Sequence, residues 1–208
     1  MSHAKELYII RHGQTDYNLK GIVQGRGVDA PLNETGRKQA GAFYEKYGSI
    51  NFDILYTSTL IRTKQTVKQI IEGGIRYEER PHIDEISWGI YEGLRSSPDM
   101  KLDYFKIVNS WIEGDLNHRT EGGESPLDVQ ERLVPFIDEL KSEDFSKALI
   151  CTHGRTMRIM LCTMLGKDLS QMDQFDHANL TLYKLSYDGE NFKMLLKNCT
   201  EHLEIFDC

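Results

Sequence analysis

Three short, almost uninterrupted apolar runs constrain the fold of this chain more than any other feature: Leu7-Tyr8-Ile9-Ile10, Phe52-Asp53-Ile54-Leu55-Tyr56 and Ala148-Leu149-Ile150-Cys151. A strand with one wet face alternates polar and apolar residues. A run without alternation needs cover on both faces, the condition of a parallel strand in an α/β sheet. Helical patterns lie between the runs. Asn33 to Tyr47 places Ala40, Phe43, Tyr44 and Tyr47 at helical spacing, and Ser58 to Ile71 alternates in the same way. Ser125-Pro126-Leu127-Asp128 is a helix start, with Ser as N-cap, Pro first and an acid third. That helix continues through Val129, Leu133, Phe136, Ile137 and Leu140. Thr156 to Leu165 predicts another helix, and Leu180 to Tyr187 with Phe192 to Leu196 predicts a strand hairpin around Asp188-Gly189. The expected fold is therefore α/β, a three-layer α/β/α sandwich with a mostly parallel central sheet.

No repeat, low-complexity stretch or Pro/Gly-rich linker divides the 208 residues, so a single domain over 1–208 is expected. The net charge of 25 − 32 = −7, without a dense Lys/Arg cluster, argues against a nucleic-acid partner. No apolar run is long enough to span a membrane, and Met1-Ser2-His3-Ala4-Lys5-Glu6 lacks the apolar core of a signal peptide. Cys151, Cys162, Cys199 and Cys208 have no metal-ligand spacing, which suits reduced thiols in the cytoplasm.

Two of the three apolar runs end alike, in Arg11-His12-Gly13 and in Thr152-His153-Gly154. Ligands of open α/β sheets sit outside the carboxyl ends of strands, so these two histidines can face one pocket. Glycine permits close backbone approach, and a helix starting after Gly154 offers free N–H groups to an anion. The third run leads to Arg62 near the start of its helix, at the same edge. Two arginines converging on two histidines suit a phosphate, whose oxygens match the guanidinium fork.

Arg11-His12-Gly13-Gln14-Thr15-Asp16-Tyr17-Asn18 resembles the RHGxTxxN motif of the histidine phosphatase superfamily, phosphoglycerate mutase-like branch. The resemblance extends through Gln24-Gly25, Asp29 to Gly36, Ser58 to Thr66, Asp84 to Gly93, Gly122 to Ser125 and the His153-Gly154 block. It implies that His12 attacks the phosphorus of a phosphomonoester and becomes phosphorylated. Arg11, Arg62, His153 and Asn18 would hold the phosphate oxygens, with His153 protonated beside the dianion. Glu85 matches the proton donor, with Asp84 and Glu92 as neighbouring alternatives. Thr15, Gln24, Gly25 and Gly154 match positions around the phosphate, although Thr15 and Gln24 also suit hydrogen bonds within the loop. No metal and no cofactor is implied.

Ser58 is read as reaching the pocket or capping its helix, and Glu124 as electrostatic support for the helix after Ser125. Trp88 and Trp111 suit either a substrate mouth or the core, while His3, His82, His118, His177 and His202 are read as surface or structural. Two departures from the family pattern stand out: Ile22 where arginine is frequent, and Arg155 where many members have a second glycine. Leu94 to Glu121 is expected to form a small cap. Its Arg95, Lys101, Lys106 and Arg119 are scattered, unlike the paired arginines of the mutases. The expected activity is hydrolysis of a small phosphomonoester by a phosphatase-type member. The alternatives are a 2,3-bisphosphoglycerate-dependent phosphoglycerate mutase and an inactive phospho-ligand-binding relative. Oligomeric state, monomer or homodimer, stays open.

Overall fold

A computed structural model describes residues 4–206; the readings of His3 and Cys208 lie outside that range. The chain runs β1 (Lys5–Arg11), α1 (Asp16–Lys20), α2 (Glu34–Tyr47), β2 (Ile54–Thr57), α3 (Ile61–Thr66), α4 (Lys68–Glu72), β3 (Arg76–Glu79), α5 (Pro98–Ile112), α6 (Pro126–Ser142), β4 (Lys147–Thr152), α7 (Gly154–Met164), β5 (Leu182–Tyr187) and β6 (Phe192–Cys199). The sheet order is β3-β2-β4-β1-β5-β6. The first four strands are mutually parallel, and the terminal hairpin is antiparallel, joining at β1.

The uninterrupted runs are apolar because both faces are covered. Leu7, Ile9, Ile54, Tyr56, Ala148 and Ile150 pack with Val129, Leu133 and Phe136 of α6 and Met157 and Met160 of α7. The alternate residues Tyr8, Ile10, Leu55, Leu149 and Cys151 pack on the other face with Phe43 of α2 and Ile70 of α4. Period-two alternation thus divides the strands between two apolar cores. The Ser125 start forms as predicted, with Ser125 and Asp128 closing a reciprocal capping box.

Four local features differ from the sequence reading. The Ser58–Ile71 helix starts only at Ile61 and breaks at Val67 (φ −112°, ψ 17°). The hydroxyl of Thr66 donates back to Arg62 O (2.7 Å) and accepts from Gly13 N (2.9 Å), a side-chain competition that bends helices. Helix α7 begins at Gly154 rather than Thr156, with His153 as its N-cap. The strand β3 is too polar (Arg-Tyr-Glu-Glu) to stand out, as suits a sheet edge. Within 94–121, Ser97-Pro98 starts α5, with the Ser97 side chain accepting from Met100 N. That is the same signal as Ser125-Pro126.

Candidate active site

Register builds the centre of the site. Ile10 pairs with Cys151 and Arg11 with Thr152, so His12 and His153 leave adjacent strands at one level. Their ring centroids are 5.1 Å apart. His12 is buried, and its Nδ1 lies 2.7 Å from Gly13 O. A carbonyl can only accept, so Nδ1 carries the proton and Nε2 keeps its lone pair. Burial, reinforced by Arg62 and Arg11, holds the ring's pKa well below its usual value of 6.5. His12 is neutral.

His153 is fixed from both sides. Arg62 Nε donates to its Nδ1 (3.2 Å), which places the proton on Nε2, 2.7 Å from Ser58 Oγ. Burial, then Arg62 and His12, also keep this ring well below 6.5. Burial and the two cationic neighbours, Arg62 and Arg11, favour the neutral ring, and the expectation of a protonated His153 concerns the ring beside a phosphate dianion. Ser58 is not the cap of the following helix, whose N-cap is Leu60 without a side-chain cap bond; its hydroxyl accepts from Leu60 N at 3.2 Å and meets His153.

The guanidinium of Arg62 is fully buried, donating to Val28 O (2.6 Å) and Gly25 O (3.3 Å). Burial lowers the pKa of Arg11 to about 10, with Glu85 opposing, which leaves it charged at neutral pH. Arg11 donates to His177 O, and its buried Nε has no hydrogen-bond partner among the described residues. Gly154 packs closely beside it: a Cβ there would lie 3.1 Å from the His177 ring and 3.4 Å from Arg11 Nε. Gly25 is a close approach too, because a Cβ would overlap Glu92 Oε1 at 2.0 Å.

The three acidic candidates separate clearly. Asp84 is turned to Thr59, accepting from its N (2.9 Å) and hydroxyl (3.0 Å). Glu92 accepts from Trp88 N, Ser87 Oγ and Gly27 N, holding the loop together. Glu85 lines the cleft. Its Oε1 accepts from Ile86 N and Thr156 N, both at 3.0 Å, whereas Oε2 has one long contact, 3.3 Å, from Arg155 N. The N-terminus of α7 therefore aims this carboxylate.

Thr15 and Gln24 hydrogen-bond each other at 3.0 Å, and Thr15 forms the capping box of α1 with Asn18. Thr15 thus shapes the loop, and Gln24 also lines the cleft. Glu124 is a brace: it accepts from Arg132 Nε (2.9 Å) and Ser87 N (2.8 Å) and pairs with Arg26 at 3.2 Å. Arg132 in turn donates to the carbonyls of His82, Asp84 and Glu85. Trp88 lines the cleft, whereas Trp111 is in the core with its indole N–H on His118 O (2.7 Å).

Sequence reasoning missed His177 and left Arg155 open. His177 borders the cleft, and burial, then Arg11, depresses its pKa to about 3. Arg155 does not point to solvent. It is buried, donating to Asp173 (2.7 Å) and Tyr104 OH (2.8 Å), with its guanidinium 5.1 Å from the Trp111 ring centre. Nothing in the local sequence marks His177; its place follows from the chain passing Arg11 before entering β5. The cleft these residues border has a volume of 520 Å³. Among the described residues no three His, Cys, Asp or Glu side chains gather as a metal site, and no helix is long and apolar enough to cross a membrane.

Two facing neutral histidines beside the buried Arg62 and the half-buried Arg11, at the carboxyl edge of a mostly parallel sheet, define a phosphoryl-binding α/β protein. The chain belongs to the histidine phosphatase superfamily, branch 1, which it matches over residues 7–200. It is 30% identical over 204 residues to phosphoserine phosphatase 1 of Hydrogenobacter thermophilus, covering 97% of this chain and 95% of that protein. A protein of Yersinia enterocolitica named as a probable phosphoglycerate mutase is 27% identical over 184 residues, 88% of this chain and 85% of its own. The mycobacterial glucosyl-3-phosphoglycerate phosphatase complexed with VO3 superposes with a TM-score of 0.83 at 26% identity, covering 94% of this chain and all of that one (100%).

Proposed function

We propose that this enzyme hydrolyses small phosphomonoesters through a phosphohistidine on His12. The observation that carries the reading is the tautomer of His12: Nδ1 is tied to Gly13 O, so the lone pair is on Nε2 at neutral pH. That lone pair attacks phosphorus, forming the P–N bond as the ester P–O bond breaks, and Glu85 protonates the departing alkoxide. Glu85 then takes a proton from water, whose oxygen attacks phosphorus. The P–N bond breaks, inorganic phosphate leaves, and His12 is restored. Arg11 and Arg62 neutralise the phosphoryl oxygens, the main task in phosphoryl transfer. The Nε2–H of His153 moves from Ser58 to a phosphate oxygen, and the dianion raises that ring's pKa. Asn18, Gln24 and the backbone at Gly25 and Gly154 complete the phosphate end. The reaction uses no metal and no cofactor.

Hydrolysis is favoured over isomerisation by the cap, since a mutase needs further cations for its second acidic group. Of Arg95, Lys101, Lys106 and Arg119, only Lys101 lines the cleft, and Arg119 pairs with Asp128. The chain acts as one domain, residues 1–208, whose cap at about 94–121 is built on α5. It works on small molecules without nucleic acid or membrane. A cytoplasmic location is supported by three buried free thiols, Cys151, Cys162 and Cys199. The test is phosphate release in EDTA from aryl phosphates, sugar phosphates and 3-phosphoglycerate, with isomerisation of the last followed with and without 2,3-bisphosphoglycerate. Metal-independent release without isomerisation is expected. Bisphosphate-dependent isomerisation would make the enzyme a mutase, and ligand binding without turnover would make it a binding protein.

A further inference from the structure

Beyond the phosphate end, the cleft walls are Trp88, Tyr91, Tyr104, Phe105, Met100 and Val23. The aromatic rings form a continuous set: the centroids of Trp88 and Tyr104 are 5.3 Å apart, and those of Tyr104 and Phe105 are 5.9 Å apart. Phe105 stays 59% exposed, so the aromatic wall reaches the surface. Exposed aromatic and aliphatic surface rimming a cleft commonly marks a ligand site.

Two polar side chains on this wall, those of Arg155 and Tyr91, are already engaged. The side chain of Arg155 is held by Asp173 and Tyr104, and the Tyr91 hydroxyl donates to Asp103 at 2.7 Å. Glu85 is the sole carboxylate among the cleft-lining residues, and three backbone N–H groups and the Thr156 hydroxyl point to it. A zwitterionic leaving group would bring an ammonium with no free carboxylate to meet it, and an unpaired ammonium against an apolar wall is unfavourable.

Resting on the phosphatase reading, we infer that the group esterified to phosphorus is apolar and ring-sized, seated against Trp88, Tyr104 and Phe105, rather than a small zwitterion such as serine. The ring of Tyr104, packed between Trp88 and Phe105, is one wall, and Phe105 stands at the mouth.

The experiment compares alkyl esters of similar leaving-group chemistry, so that reactivity does not masquerade as recognition: 3-phenylpropyl phosphate, n-propyl phosphate and phosphoserine. The phenylpropyl ester is expected to exceed both others in kcat/KM by about tenfold or more, the scale on which an apolar pocket discriminates added hydrocarbon. In Phe105→Ala, an exposed position with little bearing on folding, that preference should fall severalfold. Tyr104→Phe should keep it and Tyr104→Ala should lose it. In parallel, 3-phenylpropylphosphonate and methylphosphonate, which have no ester bond to cleave, are titrated for binding to the same protein. Tighter binding of the phenylpropyl compound is expected. Phosphoserine turned over as well as or better than the phenylpropyl ester would overturn this inference and leave the phosphatase reading intact. Absence of release from every ester would overturn the phosphatase reading instead, and equal binding of the two phosphonates would then overturn the inference independently.

Discussion

At the scale of single residues, the chemistry depends on which nitrogen of each histidine carries a proton. The Gly13 carbonyl sets His12, and Arg62 with Ser58 sets His153, so neither ring is free to choose its tautomer. Replacing the proposed nucleophile as His12→Ala should lower turnover by at least about 10³-fold, because groups that act as a unit fail together. The acid-labile phosphoenzyme trapped by rapid quench should also disappear; turnover near the parent rate would refute the covalent route. Glu85→Gln should lower kcat by about 10²–10⁴-fold, the usual worth of a positioned acid–base, with a smaller change in KM and loss of one limb of the pH profile. Unchanged pH dependence in that variant would exclude Glu85 as the proton carrier. The four central residues were legible in the sequence because His-Gly after an apolar run and Arg after β2 are positional signals. His177 was not, because its nearness to Arg11 exists only once β5 has paired with β1.

At the scale of elements, Glu85, the proposed proton carrier, is held by a helix it does not belong to. Glu85 lies in an irregular segment whose carbonyls hang on Arg132 of α6, itself clamped by Glu124. Both charges are largely buried, and removing one member of such a pair typically costs about 3–5 kcal/mol. Arg132→Met is therefore expected to lower the thermal midpoint by several degrees and to reduce kcat, although Arg132 does not line the cleft. A drop in stability with full kcat at a permissive temperature would show that the brace is structural only. The capping box of α6 offers a milder case: Ser125→Ala should cost about 1 kcal/mol in a denaturant titration and leave KM alone. Elements with a strong start or an apolar face were legible. Helix α5 had its Ser-Pro start, but its exposed Leu102, Phe105 and Ile112 give it no clean solvent side, so the periodicity argument failed there. Strand β3 was hidden by its charges, and the Val67 break by a hydroxyl whose partner, Gly13, is remote in sequence.

At the scale of the whole molecule, four histidines are folded in a form that resists protonation: His12, His153, His177 and His202 all lie below 6.5, with burial as the leading cause. Below that pH the unfolded chain takes up protons that the native chain refuses. Stability is accordingly full above about pH 6.5 and is lost as pH falls, by about 1.4 kcal/mol per pH unit for each group. Urea midpoints should thus decline between pH 7.5 and 5.5, and saturating inorganic phosphate, which favours a charged His153, should reduce the decline; a flat profile would contradict the buried-neutral assignment. The layered architecture was readable because apolar runs without alternation admit few other folds. Strand order was not, since no local pattern reveals that β4 inserts between β1 and β2. That insertion has a consequence for a chain emerging from the ribosome. Until residues 147–152 are made, β1 and β2 have no common neighbour, and both expose unpaired edges of the kind that invite aggregation. Closure of the sheet centre is therefore a late, long-range event, slow by the topology that governs folding rates. Because that same closure brings the two histidines together, a nascent chain gains its chemistry only when synthesis has passed its final parallel strand.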